Sequence, residues 1–332
     1  MTIDSKVQFD GFWHDFFADR IASGTSPEKI LAGVEMLNLQ RIDGPVDLSL
    51  CVQMPHLREI IAPLGDVTVT GKAALPGIPM LRELVLSQGA FTAEDLPLVV
   101  RCPGLAKLHI NGMHLPELAM LNNAAKLKDL SLHRVSGVVS AQLADLSAIT
   151  TLRLSDGDYG DLAELARMPR LRTLSLQAVP LADLCCLAAP KLIAFSSETR
   201  AVDESGLALL AKKAQLEEFN YPVADLSVLA GCTKLTRLRV DGSAHLDFTL
   251  VPHLPIRAIE VYSAPDEATA QAILARARET WPGLQSTGYR ADWDAPRPSP
   301  TPPPPEAAVA APASPIAPRP AGLLGRLFGR GR

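Results

Sequence analysis

Aromatic side chains are scarce in this chain: Phe, Trp and Tyr make up 5% of its 332 residues. A core of any size must therefore be built from aliphatic side chains. Cysteine is scarcer still, with five residues at Cys51, Cys102, Cys185, Cys186 and Cys232. The number is odd, the spacing is irregular and no CxxC occurs, so buried reduced thiols fit better than a disulfide framework or a zinc site. No apolar run approaches the roughly 18 residues of a membrane-spanning helix, which excludes an integral membrane reading. The opening stretch MTIDSKVQFDGFWHDFFADR has no basic segment followed by an apolar run, so no secretory leader is read. The cytoplasm is the expected compartment. HExxH, GxSxG, GxxxxGKS/T and GxGxxG are missing in any convincing context, and with them the usual marks of metal, acyl-transfer and nucleotide chemistry.

Positive charge is also in short supply. Up to Ala295 there are 27 Lys and Arg against 35 Asp and Glu, a net charge of −8; the remainder carries 5 against 1, a net +4. Phosphate backbones need clustered cations, so the acidic body is not expected to bind nucleic acid.

Leucine is abundant, and it recurs. Leu81-Arg82-Glu83-Leu84-Val85-Leu86 and Leu105-Ala106-Lys107-Leu108-His109-Ile110 share one pattern. Leu127 to Leu132, Ile149 to Leu154 and Leu171 to Leu176 repeat it, each as LxxLxL. Looser copies begin at Val34, Leu57, Leu192, Leu216, Leu235 and Ile256, and successive starts lie 19 to 24 residues apart. In LxxLxL the fourth and sixth residues share one face of a strand, because side chains alternate with period two. One such unit cannot bury that face alone; stacking on two neighbours closes it.

Over roughly residues 34–263 the pattern resembles the leucine-rich repeat superfamily, in its short class of about 22 residues. The resemblance implies an α/β fold: a leucine-rich-repeat solenoid with a curved parallel β-sheet on the concave side and short helices or loops on the convex side. The family pattern places asparagine three residues after the last leucine of LxxLxL. Here that position holds Gly89, Met113, Val135, Gly157 and Val179, so the turn leaving each strand must be satisfied differently. Convex segments such as Asp161-Leu162-Ala163-Glu164-Leu165 and Asp225-Leu226-Ser227-Val228-Leu229 space their apolar residues by three.

Both ends of the array read as helical caps. Phe9, Phe12, Trp13, Phe16, Phe17 and Ile21 fall at helical spacing, and Thr25-Ser26-Pro27-Glu28 opens a second helix. At the far end Asp266-Glu267 starts a helix through Ile273, Leu274 and Ala277, stopped by Trp281-Pro282-Gly283. The expected organisation is an N-terminal helical cap over 1–33, repeats over 34–263 and a C-terminal helical cap over 264–294. A Pro-rich linker without fixed structure follows over 295–320, where 11 of the 25 residues from Pro296 to Pro320 are proline. Residues 321–332 form a basic amphipathic tail, with Leu323, Leu324, Leu327 and Phe328 on one helical face among Arg326, Arg330 and Arg332.

The outward positions of the strands form columns that suit recognition of a protein partner. The residues expected to line this concave face are Lys107, His109, Asn111, Asp129, Ser131, His133, Arg153, Ser155, Asp156, Ser175, Gln177 and Arg239. Arg153 and Arg239 are the expected anchors, since arginine is favoured at binding hot spots. His133 and Asp156 sit close enough to pair, and Ser131 or Ser155 beside them would complete a Ser/His/Asp roster. Polar strand positions commonly hold these residues, and no oxyanion-hole turn is evident. The chain is therefore read as no enzyme, with no catalytic residue, metal or cofactor. The leading reading is a protein–protein interaction scaffold. The alternative is an adaptor docked on a peripheral membrane surface or an assembly by Leu323, Leu324, Arg326, Leu327, Phe328 and Arg330. A secreted effector or a hydrolase comes behind both.

Overall fold

The computed structural model describes Phe9 and residues 11–290. The linker 295–320 and the tail residues Leu323, Leu324, Arg326, Leu327, Phe328 and Arg330 lie outside the described residues. The first strands are β1 (Met36–Asn38), β2 (Val46–Asp47), β3 (Glu59–Ile61), β4 (Val69–Thr70), β5 (Glu83–Ser87), β6 (Lys107–Asn111) and β7 (Asp129–His133). They continue as β8 (Thr151–Ser155), β9 (Thr173–Gln177), β10 (Ala194–Ser197), β11 (Glu218–Val223), β12 (Arg237–Asp241), β13 (Ala258–Tyr262) and β14 (Ser286–Arg290). All but β2 and β4 join one 12-stranded sheet in sequence order, and β2 pairs with β4 in a sheet of two strands. Every pairing is parallel.

The leucine register dictates this arrangement. Leu108, Leu130, Leu152 and Leu174 stand opposite one another across β6 to β9, and each is 0% exposed. The looser copies obey the same rule: Leu37, Ile60, Phe195, Phe219, Leu238 and Ile259 are all buried in one continuous core. A repeat contributes four or so such side chains at about 1.5–3 kcal/mol each. Most of that gain offsets the ordering entropy of its backbone.

Short 3-10 helices line the opposite side, among them Leu162–Arg167, Cys185–Ala188 and Leu226–Leu229. Apolar pairs three apart, Leu162 with Leu165 and Leu226 with Leu229, suit a helix of three residues per turn, which sets both side chains inward. In several of these turns a preceding aspartate caps the first amides. Asp161, Asp225 and Asp247 accept the amides of Ala163, Ser227 and Thr249 at 2.8–3.0 Å. Asp47, Asp183 and Asp203 do the same for Ser49, Cys185 and Ser205.

After β6 to β9 the turn leaving the strand replaces the missing asparagine by two devices. Gly112, Arg134, Asp156, Ala178 and Ser263 each follow a strand directly and adopt φ between 50° and 71°. Their amides continue the ladder: Gly112 donates to the His133 carbonyl, Arg134 to Ser155 and Asp156 to Gln177, at 2.8–3.0 Å. The position itself turns apolar, and Met113, Val135 and Val179 are buried. Where it is Gly157, the ring of Tyr159 occupies the space a Cβ would need, and its hydroxyl donates to the Leu132 carbonyl at 3.1 Å.

The shortest repeat interval, from Leu216 to Leu235, coincides with Pro222 inside β11. Proline lacks the N–H a ladder needs, and the register against β12 shifts between Phe219 and Val223. At the N-terminal side, helices Gly11–Phe16 and Pro27–Ala32 bury Trp13, Phe16, Ile30 and Leu31, and Phe17, between the first of these and helix Ala18–Ala22, is buried with them. At the other side, Glu267–Thr280 is capped by the Asp266 carboxylate, which accepts the Thr269 amide at 2.6 Å. Its Ala270, Ile273, Leu274 and Ala277 are buried, and the Trp281 indole donates to the Val251 carbonyl at 3.2 Å. After it β14 pairs with β13, a strand that STGYR, without any leucine, does not announce.

The cysteines fit their expected place. All five are unpaired thiols, four of them buried in or beside convex turns. Burial raises each of these four, Cys186 to about 12 and Cys102 and Cys232 to about 11, which keeps them protonated and inert.

Candidate functional site

Outward-facing residues of successive strands stand in register across the sheet. One column runs His109, Ser131, Arg153, Ser175, Ser196 and Asn220, and another runs Asn111, His133, Ser155 and Gln177. A third runs Glu83, Lys107, Asp129, Thr151 and Thr173. Charged members bond both directly across neighbouring strands and along the diagonals. Glu83 receives Lys107 Nζ at 3.0 Å and His109 Nε2 at 3.1 Å. Asp129 stands opposite Thr151, yet it receives Arg153 Nη1 at 2.5 Å from two residues further on. The Arg153 side chain remains 46% exposed, whereas that of Asp129 is 18% exposed. The short side chains Ser131, Thr151, Ser155, Thr173 and Ser175 surround it, so one guanidinium stands above a shelf of hydroxyls. Such a half-exposed pair contributes about 1 kcal/mol or less to stability, which leaves the guanidinium available to exchange its partner.

The His133–Asp156 pair forms, with Nδ1 to Oδ2 at 3.2 Å. The positive φ of Asp156 turns the chain directly after β8, next to the Ser155 that faces His133. No serine joins it. The Ser131 hydroxyl is shut off from solvent and makes no hydrogen bond, and among the described residues His133 is bonded by neither Ser131 nor Ser155. An imidazole–carboxylate pair without an approaching nucleophile can accept or donate hydrogen bonds, but the Ser/His/Asp roster is not assembled.

Arg239 departs from its expected role as an exposed anchor. Its side chain is 10% exposed, with Nη1 donating to the Asn220 carbonyl at 3.3 Å and Nη2 to Glu260 at 3.2 Å. The guanidinium also lies 4.2 Å above the Tyr262 ring. The aromatic shelf and the bulge after Phe219 fold this arginine down onto the sheet, where it holds β11, β12 and β13 together. Beside it Arg200 reaches over the strand ends to Asp241 and also pairs with Glu204 at 3.4 Å. Burial acts to raise the Asp241 carboxyl, but the Ser243 hydroxyl and amide and the Arg200 guanidinium outweigh it and hold the group below the usual carboxylate range.

Where the strands leave the sheet, a groove of about 520 Å³ runs across four repeats, lined by Leu64, Asp66, Gln88, Asn111, His133 and Arg134. Leu64, Asp66, Gln88 and Arg134 carry no repeat signature, because they lie in the connections rather than in LxxLxL. Among the described residues no three His, Cys, Asp or Glu side chains come together in a metal-binding group. No described helix is long and apolar enough to cross a membrane.

No protein-family model matches the chain, and no curated protein matches it in sequence. Solved structures do match. An internalin (inlF) from Listeria monocytogenes is 15% identical, with 85% of this chain and 90% of that chain covered and a TM-score of 0.51. An internalin C2 from the same organism is 20% identical over 55% of this chain and 91% of that one, at a TM-score of 0.39. The plant peptide hormone receptor RGFR1, solved in complex with RGF2, is 15% identical over 71% of this chain and 42% of that one, at 0.41. Likeness of the first kind is likeness of fold, and it agrees with the register: this chain is a leucine-rich-repeat solenoid.

Proposed function

We propose that the chain is a non-catalytic interaction scaffold that takes a protein partner on its concave sheet, centred on β6 to β9. The observation that carries this reading is the Arg153 guanidinium, half exposed above a floor of short hydroxyl side chains. A rigid wall of this kind lowers the ordering cost of association, because the sheet backbone is fully paired before the partner arrives. Lys107, His109, Asn111, Asp129, His133, Asp156 and Gln177 surround the centre with donors and acceptors of both signs. A partner of mixed surface charge is favoured over a polyanion, given the net −8 of residues 1–295. On this reading the helical segments at 11–32 and 267–280 close the two ends of the array, where a repeat has a neighbour on one side only. The cytoplasm is the proposed compartment.

The test is affinity capture by the immobilised full chain from cells that make it. The bound proteins are compared between Arg153→Glu and Arg167→Glu, the latter a convex residue paired with Glu164 at 2.7 Å. Loss of a bound protein with the concave variant alone supports the reading. Loss with the convex variant alone, or with neither, sinks it.

A further inference from the structure

The concave face changes character toward its first strands. In β6 to β9 the outward positions are polar, but in β1, β3 and β5 they include Met36, Ile61 and Val85. Ile61 stands in register with Val85 and Asn38, and Met36 lies diagonally across from Ile61. Met36 is 44% exposed, and Leu64, just past β3 at the mouth of the groove, is 54% exposed. Ile61 and Val85 are half-buried. No described element covers these four side chains.

Carboxylates rim the patch. Glu59 lies between Met36 and Glu83 in the same column, Glu35 precedes β1, and Asp66 lines the groove beside Leu64. Glu83 is taken by Lys107 and His109. Glu59 makes no ion pair among the described residues. Burial and the charge of Glu83 raise its carboxyl above the usual range, with Lys107 and His109 acting the other way. An anion in that position gains from an arriving cation.

We propose that the occupant is another segment of the same chain: residues 321–332 dock on this patch, with Leu323, Leu324, Leu327 and Phe328 against Met36, Ile61, Val85 and Leu64, and Arg326 and Arg330 facing Glu59 and Asp66. The chemistry matches on both counts, since residues 321–332 contain four large apolar side chains, three arginines and no acid. The reach suffices. The 33 residues from Arg290 to Leu323 span up to about 100 Å at about 3.1 Å each. The 12 strands of the sheet place its two edges about 53 Å apart at about 4.8 Å per strand. Tethering of this length keeps the segment at an effective concentration near the millimolar range, so a weak contact fills the patch.

The experiment places p-benzoylphenylalanine at position 36 of the full chain, irradiates it and maps the cross-links by mass spectrometry. The expected result is linkage into 321–332 within species of monomer mass, at least tenfold above the same label at position 175 in β9. Leu327→Glu combined with Phe328→Glu is expected to lower the linkage at least tenfold. Should the position-36 variant lose its circular dichroism signal, the label at position 64 gives the same readout. Equal linkage from positions 36 and 175, survival of the linkage in the double-glutamate variant, linkage confined to dimers, or none to the tail would overturn the proposal. None of these outcomes bears on whether Arg153 binds a partner.

Discussion

Leu152→Ala separates the two faces of the sheet most sharply when set against Arg153→Ala. Leu152 is 0% exposed and stands in register between Leu130 and Leu174, so truncation opens a cavity that both flanking repeats line. Leucine-to-alanine changes at such positions cost about 2–5 kcal/mol, the upper part where the surroundings cannot collapse. A sheet pinned by ladder bonds on both sides of β8 has little freedom to do so. For an array of this size about 2 °C of melting temperature corresponds to each kcal/mol, so a fall of roughly 4–10 °C is expected. Arg153, one residue further on, points the other way. Its loss removes one half-exposed ion pair with Asp129 and is expected to cost about 1 kcal/mol or less. Melting of the full chain followed by far-ultraviolet circular dichroism measures both. Equal shifts for the two variants would refute the assignment of Leu152 inward and Arg153 outward.

Asp241 supplies a pH test. Its carboxyl is held low in the folded chain, so its contribution is present above about pH 5 and is lost as the pH falls through the depressed value. Asp241→Asn should therefore be less stable at pH 7 with a flatter decline of the urea midpoint toward pH 3; identical slopes would contradict the assignment. Asp225→Ala removes the acceptor for the Ser227 amide and is expected to cost about 0.5–2 kcal/mol in urea denaturation, against no measurable change for the exposed Glu217→Ala. Ala178→Gly relieves an alanine held at φ 50° and is expected to stabilise by about 0.5–1 kcal/mol; a loss of stability would argue against the left-handed turn after β9. Native chain treated with a thiol reagent at pH 8 is expected to label half-buried Cys185 first and Cys51, Cys186 and Cys232 only on unfolding.

The leucines made the sheet legible because each of them answers to a single requirement, burial between two neighbours. That requirement holds even where the side chain is Phe195, Phe219 or Ile259 instead of leucine. The turns after β7 to β9 were not legible, because they are solved by backbone conformation at Arg134, Asp156 and Ala178, and neither arginine nor alanine carries a preference for positive φ. Tyr159 reaching back to the Leu132 carbonyl is a contact between repeats, invisible within either one. The candidate surface was half readable. Alternation set His109, His133, Arg153 and Ser175 facing outward, but the fate of a long side chain depends on what lies beside it. Arg153 has serines and threonines for neighbours and stands up, whereas Arg239 finds Tyr262 and Glu260 and lies down. The groove at Leu64, Asp66 and Arg134 arises from connections, which follow no period.

Hydroxyl-radical footprinting of the full chain, alone and bound to the protein it captures, tests the concave surface most directly. Protection of His109 and His133, with Leu250 and Val202 on other surfaces unchanged, is the result expected. Protection at Leu250 or Val202 with His109 and His133 still fully reactive would place the partner elsewhere and contradict the account.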